Sequence, residues 1–131
     1  MREIKTSLIT QTVARLCQEA NFALGDDVLQ ALREAQEKEE APLGQQTLAQ
    51  LLENALLAQE ERLPMCQDCG TAVIFLEIGQ DIQIKGGNLY EAVEEGVRQG
   101  YNEGYLRKSI VRQPFSSRIN TKDNKIGRAH V

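Results

Sequence analysis

Tryptophan is absent from this sequence, and its aromatic residues are three phenylalanines and three tyrosines. A core built from 131 residues with so few large rings must rest on aliphatic side chains and alanine, and is modest. No apolar run approaches the roughly 20 residues that cross a bilayer, so no membrane span is expected. Met1-Arg2-Glu3-Ile4-Lys5 has no apolar stretch behind it. That argues against a secretory signal and leaves the cytoplasm as the expected compartment. Neither a G-x-G-x-x-G nor a P-loop occurs, so nucleotide binding has no support. Internal repeats and low-complexity tracts are missing too. What remains, with 41% apolar and 26% charged residues, has the make-up of one soluble globular domain.

The charge is unevenly placed. Residues 1–106 hold 8 basic and 18 acidic side chains, and residues 107–131 hold 7 basic and 1 acidic. The basic stretch contains Arg107, Lys108, Arg112, Arg118 and Lys122. A solvated tail, an anion site or a nucleic-acid contact would each explain it. Nucleic acid is disfavoured, because only Tyr105 and Phe115 lie near for base stacking and the chain as a whole is acidic. Guanidinium forks suit carboxylates, which they bind with two parallel hydrogen bonds.

Periodicity divides the chain into two parts. Residues 1–62 read as helical. Ile4, Leu8, Ile9, Val13, Leu16, Cys17 and Ala20 form one apolar stripe. Gly25-Asp26-Asp27 ends that helix and caps the next, whose inner face is Val28, Leu29, Leu32 and Ala35. Pro42 breaks the charged exit, and a third helix turns Leu48, Leu51, Leu52, Ala55 and Leu56 inward. Cys17 lies on an apolar stripe and is expected to be buried as a small hydrophobe.

Residues 63–124 change character. Pro64-Met65-Cys66-Gln67-Asp68-Cys69-Gly70 is a loop by its Pro and Gly. Residues 71–78, a near-continuous apolar run, read as a strand buried on both faces. Ile82-Gln83-Ile84 suggests a second short strand. Gly86-Gly87 is a turn, and Asn88 caps a helix with Glu91 completing a capping box and Leu89, Val93 and Val97 as its buried side. Ser109-Ile110-Val111 suggests a further strand, and 113–124 a polar loop. The expected fold class is α+β: a helical front, then a small sheet packed with one long helix.

Cys66 and Cys69 form C-x-x-C, a spacing that serves zinc, an iron–sulfur cluster or redox chemistry. A zinc knuckle needs two further Cys or His ligands, and only Cys17 and His130 remain. A redox pair opens a helix, where the dipole lowers the thiolate pKa, whereas this pair precedes a strand. A cluster ligand needs partner cysteines that other parts of an enzyme can supply. A helical interaction module taking up zinc or iron at C-x-x-C is the alternative reading from a different functional class.

Pro64-Met65-Cys66-Gln67-Asp68 with Gly70-Thr71 and the following apolar run resembles the first cluster-ligand motif of class I fumarases and L-tartrate dehydratase alpha subunits. Leu106-Arg107-Lys108-Ser109-Ile110-Val111, with Pro114, Arg118, Asn120-Thr121 and Asp123-Asn124, resembles the second block of that family. The order and spacing agree, and the resemblance covers residues 1–124. It implies a [4Fe–4S] hydro-lyase that hydrates fumarate to malate or dehydrates tartrate. Cys66 would be a cluster ligand, Asp68 a catalytic group, and Gln67 and Arg107 the substrate-binding residues. It further implies a dicarboxylate substrate, a beta subunit or C-terminal domain as partner, and an oligomer. The family usually has Thr where Cys69 stands. Residues 125–131 fit no family pattern or structural period and read as a truncation scar or vector-derived tail, so His130 receives no role and the chain alone is expected to be inactive.

Overall fold

The computed structural model describes residues 2–124; the stretch 125–131, including His130, lies outside them. Along the chain run β1 (Arg2–Lys5), α1 (Thr6–Phe22), α2 (Asp26–Lys38), α3 (Pro42–Glu61), β2 (Ile82–Lys85) and α4 (Leu89–Glu103). Among the described residues, four helices and one small sheet make the α+β class read from the sequence. Two compact units are present: Glu19–Cys66 is one, and Met1–Gln18 with Gln67–Val131 is the other.

The helical unit is organised locally. Asp26 and Asp27 sit in the first turn of α2 and Lys38 in its last, each sign favourable at its end of the helix dipole. Residues 39–41 join α2 to α3, held by Ala41 N–H donating to Glu39 Oε1 at 2.9 Å and Gln45 Nε2 donating to Glu39 O at 2.7 Å. Pro42 opens α3 at its first turn, where its missing N–H is no loss. It therefore starts the third helix as well as ending the preceding stretch. Phe22, Leu29, Ala55 and Ala58 are buried, but Val28, Leu51 and Leu56 are 43%, 48% and 47% exposed. Two helices offer each other one face apiece, which is too little to cover every apolar position expected to point inward.

The mixed unit depends on contacts distant in sequence. β1 and β2 pair in parallel, in register from Arg2↔Ile82 to Lys5↔Lys85. Ile4 thus belongs to a strand and not to the helical stripe, because a partner strand far along the chain claims it. Each strand runs into a helix, β1 directly and β2 through Gly86-Gly87-Asn88. Gly86 and Gly87 have φ of 93° and 148°, which side chains beyond glycine rarely adopt. Asn88 Oδ1 accepts from the N–H groups of Tyr90 at 2.8 Å and Glu91 at 3.3 Å, the cap expected there.

Helices α1 and α4 meet almost backbone to backbone. Ala92, Gly96, Gly100 and Gly104 recur every fourth residue and are all buried. A Cβ on Gly96 would lie 2.7 Å from both Thr10 O and Val13 Cβ, and one on Gly100 would lie 2.7 Å from Ala14 O. Thr10 Oγ1 donates to Ala92 O at 2.9 Å and Gln18 Nε2 to Gly100 O at 3.4 Å. Leu89, Val93 and Val97, expected as the buried side of α4, are only half-buried. They lie one residue off the glycine row, on the neighbouring face.

Two strand expectations do not hold. Residues 71–78 have no regular secondary structure, and Val73, Ile74, Phe75, Leu76 and Ile78 are 69%, 37%, 93%, 51% and 46% exposed. Their composition favours a strand, but no ladder partner stands beside them among the described residues. Around 109–111 a single antiparallel bridge, Val111↔Asn120, replaces the expected strand, because the polar loop that follows turns back on it at once.

Candidate functional site

Cys66 follows a pinned turn. Arg62 ends α3 in the left-handed conformation, φ 53°, and stacks its guanidinium 5.7 Å from the Phe22 ring centre, a cation–π contact. Leu63 N–H returns to Ala58 O at 3.0 Å. Met65 is held on both sides: its N–H donates to Asn21 O at 3.1 Å and its carbonyl accepts from Asn54 Nδ2 at 2.9 Å. The next residue, Cys66, is exposed and is not in a disulfide. It closes the helical unit, and Gln67 opens the mixed one.

Within the mixed unit the loop continues through exposed Gln67 and Asp68. Asp68 Oδ1 accepts the Gly70 N–H at 3.2 Å, so this carboxylate shapes the turn, while Gly70 takes φ 59°. Cys69 is half-buried, and its Sγ accepts the backbone N–H of Arg107 at 3.2 Å. The first block is thereby joined to the second. Asp68 and Cys69 come to the start of the basic stretch, and the Arg107 residue is exposed there.

Tyr101 fastens the same junction and was not singled out from the sequence. It is 2% exposed, and its hydroxyl donates to Cys69 O and Gly70 O, each at 3.3 Å. Burial raises the phenol pKa, and the thiols of Cys17 and Cys69 push the same way, while the Asn124 side chain opposes them. The hydroxyl therefore stays protonated and able to donate. Leu106 N–H closes on Tyr101 O at 3.0 Å, which directs Arg107 toward Cys69. The legible signal for this site was the glycine spacing around Tyr101, which marks the buried face of α4.

The polar loop of the second block is held by its own amides. Asn120 Nδ2 donates to Lys108 O at 2.6 Å, Asn120 Oδ1 accepts from Lys122 N–H at 2.7 Å, and Asn124 Oδ1 accepts from Ile110 N–H at 3.3 Å. Tyr105, Arg118, Lys122 and Asn124 all have positive φ, between 51° and 64°. Such strain persists only where surrounding contacts hold it, and it clusters at functional segments. An open cavity of about 760 Å³ between this loop and α4 is lined by Arg98, Lys108 and Lys122 with Asp123 as the one acid. Its cationic excess suits a carboxylate or another small anion.

Among the described residues, no three His, Cys, Asp or Glu side chains gather as a metal-binding group. Cys66 and Cys69 are therefore not part of any such group among those residues. Cys17 is buried, as its apolar stripe required, and burial raises its thiol pKa.

The family model described as fumarate hydratase (fumerase) matches residues 10–127, a span that includes Cys66, Gln67, Asp68 and Arg107. A protein of Methanocaldococcus jannaschii named "Putative L(+)-tartrate dehydratase subunit alpha" is 36% identical over 104 residues, which are 79% of this chain and 36% of that relative. The matched stretch thus spans little more than a third of the relative's length.

Proposed function

This chain belongs to the fumarate hydratase family, and from that premise we propose that residues 1–124 form the front part of the alpha domain of an iron–sulfur hydro-lyase. The enzyme adds water to fumarate, or removes it from malate or tartrate. The observation that supports this reading is the exposed Cys66 on a loop pinned at Met65, in the segment that resembles the family's first cysteine motif.

The donor set fits one corner of a [4Fe–4S] cluster. A soft thiolate on a fixed loop suits iron in such a cluster, and Cys66 is that ligand; the other thiolates come from elsewhere in the enzyme. When bound, the cluster supplies a Lewis-acidic iron that helps a hydroxyl leave. Arg107 binds a substrate carboxylate through its guanidinium fork. Gln67 orders the same ligand with its amide. Asp68 is a catalytic group of the site, set in place by the Gly70 N–H, and the base that takes the carbon-bound proton lies outside this chain. Within the mixed unit, the Cys69–Arg107 bond and the Tyr101 anchor keep Asp68, Cys69 and Arg107 in one arrangement, which favours a reactive orientation of the substrate.

The complete enzyme is a cytoplasmic oligomer with a beta subunit or C-terminal domain as partner. Among the described residues no helix is long and apolar enough to cross a membrane. One ligand cannot hold a cluster, so the chain alone is inactive. Fumarate hydration, followed by loss of absorbance after anaerobic iron and sulfide reconstitution, stays at the blank for this chain. Turnover well above the blank contradicts the proposal.

A further inference from the structure

We propose that, in the complete subunit, residues 71–78 form an interior β-strand whose neighbours come from outside the described residues, in the part of the subunit beyond the matched stretch.

Three observations carry this. The first is the conflict between composition and environment. Val73, Ile74, Phe75, Leu76 and Ile78 lie within six positions, and all are exposed by more than a third. Single exposed apolar residues are ordinary, but a contiguous apolar patch marks a surface that something covers. The second is alternation. In an extended segment Val73 and Phe75 face one side, and Ile74, Leu76 and Ile78 the other. A strand with large apolar side chains on both faces belongs between two layers, as in sheets covered by helices on both sides. The third is the sheet itself. β1 and β2 form a two-stranded, wholly parallel pair, and parallel sheets occur almost only as larger, doubly covered assemblies.

These points also select the occupant. Pairing with a second copy would fill the backbone edge but leave both apolar faces in water. A short peptide would do no better. Glu77 is the one ionisable residue in the segment, so a charged surface is not its complement. What is required is a body of protein supplying an extended apolar strand and cover above and below. The relative has such a body to offer, since the matched stretch is only 36% of its length. The proposal concerns folding, so its test does not depend on activity.

Hydrogen–deuterium exchange read by mass spectrometry tests it. Amides of 71–78 in this chain should exchange at least a hundred times faster than those of the matching segment in the complete tartrate dehydratase relative. Phe75→Asp in this chain should leave its melting temperature unchanged, because the ring touches solvent. Equal protection in both proteins would mean the segment is already paired here, and equal rapid exchange that it is a surface loop; either overturns the proposal. So does a dimer of this chain, seen by light scattering, that protects 71–78, or a fall in melting temperature for Phe75→Asp.

Discussion

The helical unit Glu19–Cys66 closes most of its hydrogen bonds within a few residues, with Met65 N–H to Asn21 O as its long tie, whereas the mixed unit of Met1–Gln18 and Gln67–Val131 is tied together across most of the chain. In the first, α2 and α3 satisfy their own backbones, and the link between them is fastened by residues 39–45. In the second, the strand pair joins Arg2 to Ile82, Thr10 bonds Ala92, and Cys69 bonds Arg107. Local order is cheap to form and tolerant of surface change, because loop closure contributes little to its cost. Order made between distant segments fails when one contact fails. The expected substrate and catalytic residues Gln67, Asp68 and Arg107 lie in the second kind of structure, while Cys66 ends the first.

Glycine substitutions should break this contrast most visibly. Gly100→Val puts a branched side chain where a Cβ alone would approach Ala14 O to 2.7 Å. Overpacking costs of ~1–3 kcal/mol are typical, and a clash with backbone belongs at the upper end. In the helical unit, a Cβ on Gly44 meets only the side chain of Glu39, which can swing aside. Gly44→Ala should stay within about 1 kcal/mol of the parent, since alanine's better helix propensity offsets the adjustment. Urea denaturation of the two variants checks the pair, and equal losses would erase the distinction.

Arg107→Lys in the complete enzyme sharpens it at the site. A point-charge ammonium cannot reproduce a two-bond fork. Losing such a charged contact should weaken substrate binding by about 2–3 kcal/mol. The backbone N–H that reaches Cys69 is untouched, so stability should hold. Parent-like kinetics with a lowered melting temperature would make Arg107 structural.

The smallest expected effect is in alkaline stability. Burial raises the folded pKa of Cys17 from 9.0 and of Tyr101 from 10.0. The stability each contributes is complete below its unfolded value and is lost as pH rises through the folded one. The mixed unit should therefore weaken from about pH 9 upward, first through Cys17 and then through Tyr101. Tyr101→Phe should remove the later part of that decline and cost about 1 kcal/mol at neutral pH for the hydrogen bonds to Cys69 and Gly70. A denaturation series from pH 7 to 11 on parent and variant is the check; an unchanged slope would remove Tyr101 from the account.

The same division governs how far the sequence could be read. The helical front, the Asn88 cap, the buried Cys17 and the cysteine loop all follow from spacing and from Pro, Gly and Asn signals, which act within a few residues. β1 was hidden because Arg2-Glu3-Ile4-Lys5 has no strand pattern; it is a strand because Ile82–Lys85 pairs with it. Residues 71–78 misled in the opposite direction, since a strand composition does not create a ladder. Cys66, Gln67, Asp68 and Arg107 could be nominated from motif order. The bond from the Arg107 amide to Cys69 could not, because it joins a backbone donor to a side chain 38 residues away. Tyr101 was missed because nothing near it in sequence shows that a loop from 69–70 lies over its hydroxyl.

The cysteine pair offers the most direct test of the central claim. In the complete enzyme, handled without oxygen, Cys66→Ser should abolish the visible absorption of the iron–sulfur cluster together with all hydration of fumarate. Cys69→Thr should keep both near normal, because the hydroxyl can still accept the Arg107 N–H and the proposed ligand is Cys66. Loss of the cluster in Cys69→Thr with retention in Cys66→Ser would contradict the assignment, as would the loss of a single zinc from both.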